Sequence, residues 1–265
     1  MTRVRLGAVG YLNARPLVHR LDHEPRLFDV RFDAPSTCAA LLHDGAIDVG
    51  MIPSIEYLRG AEPYRIVPDL GIVSHGAVAS VALFSRVPLA SVRRIGLDTS
   101  SRTSAALTRI LCAESWHIAP AFEDISPSAV DVALETCDAV LLIGDPALFL
   151  DYRAAALTKI DLGDEWTRLT GLPFVWAFWA GRPRALGSAD VRRLQAARDE
   201  GVAESDLIAD DYCGAARAAL CRAYLRDNIK YRLAAPEITG LTRYYELAAR
   251  YGLVDIVKPV EFFQV

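Results

Sequence analysis

The sequence predicts an α/β protein folded as two lobes, and three observations point there. Strand-like and helical patterns alternate with short links from Val4 to Pro53, a second strand–helix set runs from about residue 88 to 180, and the stretch from Ala189 to Arg250 reads almost wholly as helix. Strand, helix, strand with short links is the grammar of a helix-covered, largely parallel sheet. Inserting a second such set gives a clamshell whose first lobe, residues 1–86 plus 182–265, is completed by the C-terminus around an inserted lobe of residues 87–181. One large sheet is the competing arrangement, and periodicity does not separate the two.

The elements follow in order. Val4 to Val9 alternates and turns at Gly10, as a strand opening a sheet does. Pro16 then leads into a short helix from about Leu17 to Leu21. Phe28 to Phe32 is a second strand, Pro35-Ser36-Thr37 precedes a helical pattern that stops at Gly45, and Ile47 to Ile52 is a third strand ending at Pro53-Ser54. Ala77 to Ser85 is nearly continuous in apolar residues, the mark of a strand buried on both faces. The second set starts at Arg94-Ile95-Gly96-Leu97, opens a helix around Ser101-Arg102-Thr103-Ser104, and contains the strand Ala139 to Gly144, closed by Asp145-Pro146. Phe174 to Trp179 is the last strand. The helical tail is expected to break near Gly201, Gly214, Pro236 and Gly240.

Composition excludes several classes of function. With 29 basic against 33 acidic residues in 265, the chain has a net charge of −4, the wrong sign for a nucleic-acid binder held by phosphate contacts. Mean hydropathy is +0.20, yet no apolar run approaches the ~18–20 residues of a spanning helix, so no membrane partner is expected. The N-terminus carries no secretory apolar region, which predicts a cytoplasmic protein. Five scattered cysteines with no CxxC pair are expected to be reduced and buried. Five dispersed histidines without an HExxH or Cys/His cluster argue against a metal, and nothing calls for another cofactor.

Three polar clusters follow strands, where ligands of open α/β sheets sit. Tyr11-Leu12-Asn13-Ala14-Arg15 offers an amide and a guanidinium to a polar ligand, or is a turn with a solvated Arg15. Ser36-Thr37 and Pro53-Ser54 read first as helix caps, although a helix start can also receive a carboxylate. Asp98-Thr99-Ser100-Ser101-Arg102-Thr103-Ser104 is the most informative. Its hydroxyls and amides are neutral donors, the helix end adds a partial positive charge, and Arg102 supplies a fork for one carboxylate; the alternative is a capped serine-rich turn. The glycines and lysine of a P-loop are missing. Asp145, at a strand's C-terminal end, orients a substrate hydroxyl or caps the next helix. Ser80 inside its apolar strand is by itself a core hydroxyl, and the aromatic group Trp166, Phe174, Trp176, Phe178 and Trp179 reads as core and lobe-interface packing.

Taken together, Val9-Gly10-Tyr11-Leu12-Asn13-Ala14-Arg15-Pro16-Leu17, Asp48-Val49-Gly50-Met51-Ile52-Pro53-Ser54, Ser100-Ser101-Arg102-Thr103-Ser104, Leu142-Ile143-Gly144-Asp145-Pro146-Ala147-Leu148 and Trp166 to Ala177 resemble, in order, the chorismate dehydratase family of the futalosine route to menaquinone. The resemblance implies a type II periplasmic-binding-protein-like fold, with mixed sheets and flanking helices, used as a cytoplasmic hydro-lyase without cofactor. It implies conversion of chorismate, a dianion, to 3-[(1-carboxyvinyl)oxy]benzoate, by a monomer or homodimer. It further implies Asn13 and Ser80 as active-site residues and places Ser36, Ser54, Ser101, Thr103 and Ser104 on ligand-facing turns, with Thr37, Arg102 and Arg15 as further candidates. The related lyase of the same route, which acts on a cyclic de-hypoxanthine futalosine, carries a catalytic His where this chain has Gly144-Asp145. That lyase, or a non-catalytic small-anion binder, is the alternative. For a dehydratase the expected base is the substrate's own enolpyruvyl carboxylate, with Asn13 and Ser80 holding that carboxylate or the leaving hydroxyl, and Asp145 as general base or orienter is the second choice.

Overall fold

The computed structural model describes residues 3–126 and 130–265, which form two sheets with helices packed against them. In the first, strands β1 (Val4–Val9), β2 (Phe28–Asp33) and β3 (Val49–Pro53) run parallel in the order β2-β1-β3. Beside β3 lies β11 (Phe174–Gly181), antiparallel, which also pairs with the short strands β4 (Arg65–Ile66) and β5 (Ile72–Ser74). The second sheet has the order β10-β6-β9-β7-β8, from β6 (Val81–Ser85), β7 (Arg94–Asp98), β8 (Ala121–Ile125), β9 (Ala139–Ile143) and β10 (Thr158–Asp161). Central strands β3, β6 and β9 are buried at every position, whereas the edge strands β2 and β8 are largely solvated. Burial tracks the apolar runs, as expected of strands covered on both faces.

The two crossings between sheets fall one strand earlier than the boundaries at 86 and 181 imply. β6 pairs with β9 and β10, so it belongs to the second sheet, and β11 pairs with β3 in the first. Both strands are continuous apolar runs. Such a run says only that a strand is covered on both faces, and its sheet is chosen by partners far away in sequence. The first crossing, between β5 and β6, is held by Asp161, whose carboxylate accepts the backbone N–H groups of Val78 (3.0 Å) and Ala79 (2.7 Å). Ala79 there has φ +62°, a strained conformation for a residue with a Cβ. Asp161 also caps α6 (Leu162–Thr170) through Gly163 and Asp164.

Local differences have local causes. The segment after β1 is a 3₁₀ helix over Leu12–Val18 rather than a helix from Leu17. Helix α1 (Pro35–His43) begins with Pro35, so Ala34 takes the cap position and Ser36 and Thr37 lie inside the first turn. The tail forms α7 (Ser188–Ala203), α8 (Ser205–Cys213), α9 (Ala218–Ala223) and α10 (Ala235–Arg250). Gly201 does not break α7. A Cβ there would stand 2.2 Å from the Pro16 carbonyl oxygen, so the glycine lets α7 lie directly on the backbone after β1. Pro236 sits in the first turn of α10, where its missing N–H costs nothing. Cys213 and Cys221, expected to be reduced, are joined in a disulfide; the turn at Gly214 brings their Cα atoms to 6.7 Å, within bridging reach, and their spacing gives no sign of it. Cys38, Cys112 and Cys137 are free and buried. No described helix is long and apolar enough to cross a membrane.

Candidate active site

A cleft opens between the two sheets at the C-terminal ends of β1, β3 and β9, the usual ligand position in α/β folds. The first sheet contributes Val9, Pro53, Ile72, Trp176 and Ala177, with Tyr11, Asn13 and Pro35 from the segments after β1 and β2. The second contributes Val81, Ile143 and Gly144, and Ser101, Thr103 and Ser104 from the start of α3 (Arg102–Glu114). The cavity measures about 50 Å³, far below the roughly 300–1,000 Å³ of ligand sites.

Asn13 is placed there by the 3₁₀ helix after β1. Its buried Oδ1 has no hydrogen-bond partner, an exception among buried polar atoms that marks an acceptor waiting for a donor. Elsewhere in the same wall the Tyr224 phenol donates to Ser80 Oγ at 2.6 Å. Ser80 is fully buried behind the cavity wall, at the crossing just before β6 rather than inside the strand. Its carbonyl oxygen accepts the Gly144 N–H at 2.7 Å. Gly144 has φ +60°, and the Tyr11 ring lies 2.6–2.8 Å from where a Cβ would stand, so only glycine fits this wall. Burial raises the Tyr11 and Tyr224 phenols above their ordinary range, keeping both protonated as donors at neutral pH.

The opposite wall is the first turn of α3. Asp98 at the end of β7 accepts the Ser100 N–H (2.8 Å) and hydroxyl (2.6 Å), which shapes the turn. Burial raises the Asp98 carboxyl despite those bonds. Ser101 occupies the cap position with no side-chain capping bond, leaving its hydroxyl and the helix start beside the cavity with Ser104. Thr103 Oγ1 accepts the Ile55 N–H at 3.2 Å and lies 3.4 Å from Ser54 Oγ; the Thr103 carbonyl accepts from Tyr244 at 3.0 Å. The hydroxyls of Ser54 and Thr103 therefore join the two lobes as well as flanking the cavity.

Of the residues expected from sequence, Asn13, Ser101, Thr103 and Ser104 line the cavity, with Ser54 and Ser80 buried directly behind it. The others lie apart. Arg102 does not fork toward the cleft. It binds Glu56 of α2 (Glu56–Arg59) at 2.6 Å, because that carboxylate is fully buried and needs cations. Arg15 turns away from this cavity, its guanidinium 5.0 Å from the Phe32 ring centre and 5.1 Å from that of Tyr212. Ser36 is half-buried and Thr37 exposed; the cleft receives Pro35 instead, since the helix begins at Pro35, three residues earlier than expected. Asp145, in α5 (Gly144–Phe149), does not line the cavity. Its carboxylate accepts the Leu12 N–H at 3.2 Å and the Tyr212 hydroxyl, tying the second lobe to the first. Trp176, read as packing, is a cavity wall with its indole N–H on Ser74 Oγ at 3.0 Å. Tyr224 carried no sequence signal, since it reaches Ser80 across 144 residues. Among the described residues no group of three or more His, Cys, Asp or Glu side chains is arranged to hold a metal.

Comparison with known proteins fits this architecture. Solved structures with the same fold include a protein of Archaeoglobus fulgidus (TM-score 0.74, 18% identity, covering 95% of this chain and 98% of that one). The alkanesulfonate-binding protein of Xanthomonas axonopodis pv. citri is also similar (TM-score 0.69, 18% identity, 96% and 94% covered). So is a Candida albicans gene product described as having the generic periplasmic binding protein fold (TM-score 0.71, 10% identity, 100% and 98% covered). In sequence, a chorismate dehydratase of Thermus thermophilus is 31% identical over 263 residues, covering 91% of this chain and 93% of that one. A family model described as menaquinone biosynthesis matches residues 4–250. On that match, which spans both sheets, the chain belongs to the menaquinone biosynthesis family.

Proposed function

We propose that this protein is a chorismate dehydratase, removing water from chorismate to leave 3-[(1-carboxyvinyl)oxy]benzoate. The observation that carries the reading is the character of the cleft. Its polar groups are neutral, donors predominate on the α3 side, and Asn13 Oδ1 is a buried acceptor without a partner. A dianion carrying one ring hydroxyl suits such a site. The start of α3, with Ser101 and Ser104, receives a carboxylate through amide and hydroxyl donors, and Asn13 Oδ1 accepts from the hydroxyl that is to leave.

The reaction is a redox-neutral elimination. The C–H bond at the ether-bearing ring carbon breaks, its electrons form the new ring double bond, and the neighbouring C–O bond breaks to release hydroxide. The hydroxide leaves as water with the proton first taken up by the enolpyruvyl carboxylate. Aromatisation drives the step, so the protein's task is orientation and preorganised polarity. Asp145 is less suited to be the base, because its carboxylate is engaged outside the cavity. The lobes must part to admit substrate, and closing them again excludes water.

Incubating the protein with chorismate and following the products by chromatography tests the reading. The expected outcome is stoichiometric formation of the enolpyruvyl benzoate, and chorismate left intact would refute it. Asn13→Ala should lower kcat at least about 100-fold while weakening binding far less; an unchanged kcat would remove Asn13 from the mechanism.

A further inference from the structure

The disulfide between Cys213 and Cys221 takes no part in the elimination, yet it stands beside a seam between the two sheets. Cys213 ends α8, and Cys221 lies eight positions on, in α9. The residues beside and within the loop it closes make two contacts with α5, the helix that follows β9 of the second sheet. Tyr212, next to Cys213, donates its hydroxyl proton to the Asp145 carboxylate. Arg217, inside the loop, lays its guanidinium over the Phe149 ring at 4.5 Å. Together they form a clasp from the helical tail onto α5.

The turn that carries the clasp has little else to fix it. Residues 214–217 are exposed, and Gly214 reverses the chain at φ +66°. Apart from backbone hydrogen bonds, α8 and α9 are linked by Arg222 and Asp210 at 3.1 Å, a well-exposed pair of the kind that contributes little. A covalent link restricts such a turn, and cleaving it returns the lost chain freedom. The two sulfurs are not equally placed. Cys221 is fully buried and Cys213 only half-buried, so an incoming thiolate meets Cys213 first.

We propose that Cys213–Cys221 is a thiol–disulfide exchange site, and that its reduction by a dithiol loosens the clasp on α5. A thiolate of the dithiol attacks Cys213 Sγ; the S–S bond breaks, and its electron pair leaves on Cys221 Sγ, which takes up a proton. The second thiol of the dithiol then displaces Cys213 from the mixed disulfide. The dithiol gives up two electrons and two protons and becomes a disulfide, while the two cysteines become thiols.

Alkylation in denaturant followed by mass spectrometry reads the bond. Untreated protein should show Cys38, Cys112 and Cys137 labelled and Cys213 linked to Cys221. After the folded protein is treated with dithiothreitol, all five cysteines should be labelled. Protein isolated with both as thiols should close the bond with diamide. Hydrogen exchange reads the clasp: on reduction the amides of residues 212–217 and of α5 should exchange at least about tenfold faster, with β1 and β3 unchanged. The variant C213S/C221S should give the reduced pattern with or without dithiothreitol. Should it fail to fold, reoxidising the reduced wild type should restore slow exchange. One further readout rests on the dehydratase reading: KM for chorismate should rise about three- to tenfold on reduction, with kcat within about threefold. A bond that dithiothreitol leaves closed or diamide cannot form, equal α5 exchange in both forms, or an unchanged KM in protein that does dehydrate chorismate would each overturn the proposal. Chorismate left intact by both forms would overturn the dehydratase reading alone, and hydrogen exchange would still decide the exchange site.

Discussion

At one end of the cleft the lobes meet through Glu56, whose carboxylate is 1% exposed and is reached by Arg102 from across the cleft at 2.6 Å, by Arg59 at 3.0 Å and by His43 at 3.1 Å. At the other end they meet through Asp145, which is only half-buried and takes one backbone N–H and one tyrosine hydroxyl. Both seams join a carboxylate to the opposite lobe, yet their physics differs. Burial alone would raise the Glu56 carboxyl, but the His43 hydrogen bond and the charges of Arg102 and Arg59 hold it below the usual range. Such a group is costly to leave unpaired. Asp145 has only neutral partners and nearby water to replace them, so its seam is the cheaper one to open. A clamshell that must admit substrate needs this kind of asymmetry: one side that stays registered and one that yields.

The strongest way to break that contrast is at Glu56. Arg102→Ala should cost about 1.5–3 kcal/mol of stability at neutral pH, the range for a hydrogen bond to a charged group, read by thermal or urea unfolding. The pH dependence has a definite sign. Glu56 is depressed in the folded state relative to its ordinary 4.5, so its contribution is complete above about that pH and is lost as pH falls through the folded value. The gap between wild type and Arg102→Ala should therefore narrow on acidification below about 4.5. A gap that stays constant to pH 3 would mean that Arg102 does not act through Glu56.

Asp145→Asn sharpens the other half of the contrast. With closure weakened by about 1 kcal/mol, KM should rise roughly fivefold and kcat should stay within about threefold. Loss of turnover with binding preserved would make Asp145 the base after all. The smallest effect belongs to Thr37, which is exposed on α1 away from the cleft. Thr37→Ala should change stability by less than about 0.5 kcal/mol and leave KM for chorismate unchanged; a raised KM would restore Thr37 to the substrate.

Much of the architecture was readable in advance because it rests on short-range patterns. The apolar runs of β1, β3 and β9 and the serine-rich start of α3 after β7 each follow from residues within a dozen positions of one another. That Asn13, Ser101, Thr103 and Ser104 lie beside the cavity was legible for the same reason, because they follow strands, and strand ends are where such sheets bind ligands. Arg15 and Arg102 misled because a guanidinium near a strand end has several possible partners. Arg102 went to a buried carboxylate 46 residues away, and Arg15 to two rings outside the cavity.

By itself the sequence determined the main strands and helices and which turns carry neutral donors, since backbone periodicity is a local property of the chain. Only the tertiary structure decided which sheet β6 and β11 join, that Cys213 meets Cys221, that Asp145 ties the lobes together, and that Tyr224 stands behind Ser80. Those choices depend on hydrogen bonds, packing and charge burial between residues far apart in the chain, and no local pattern encodes which distant partner will be near.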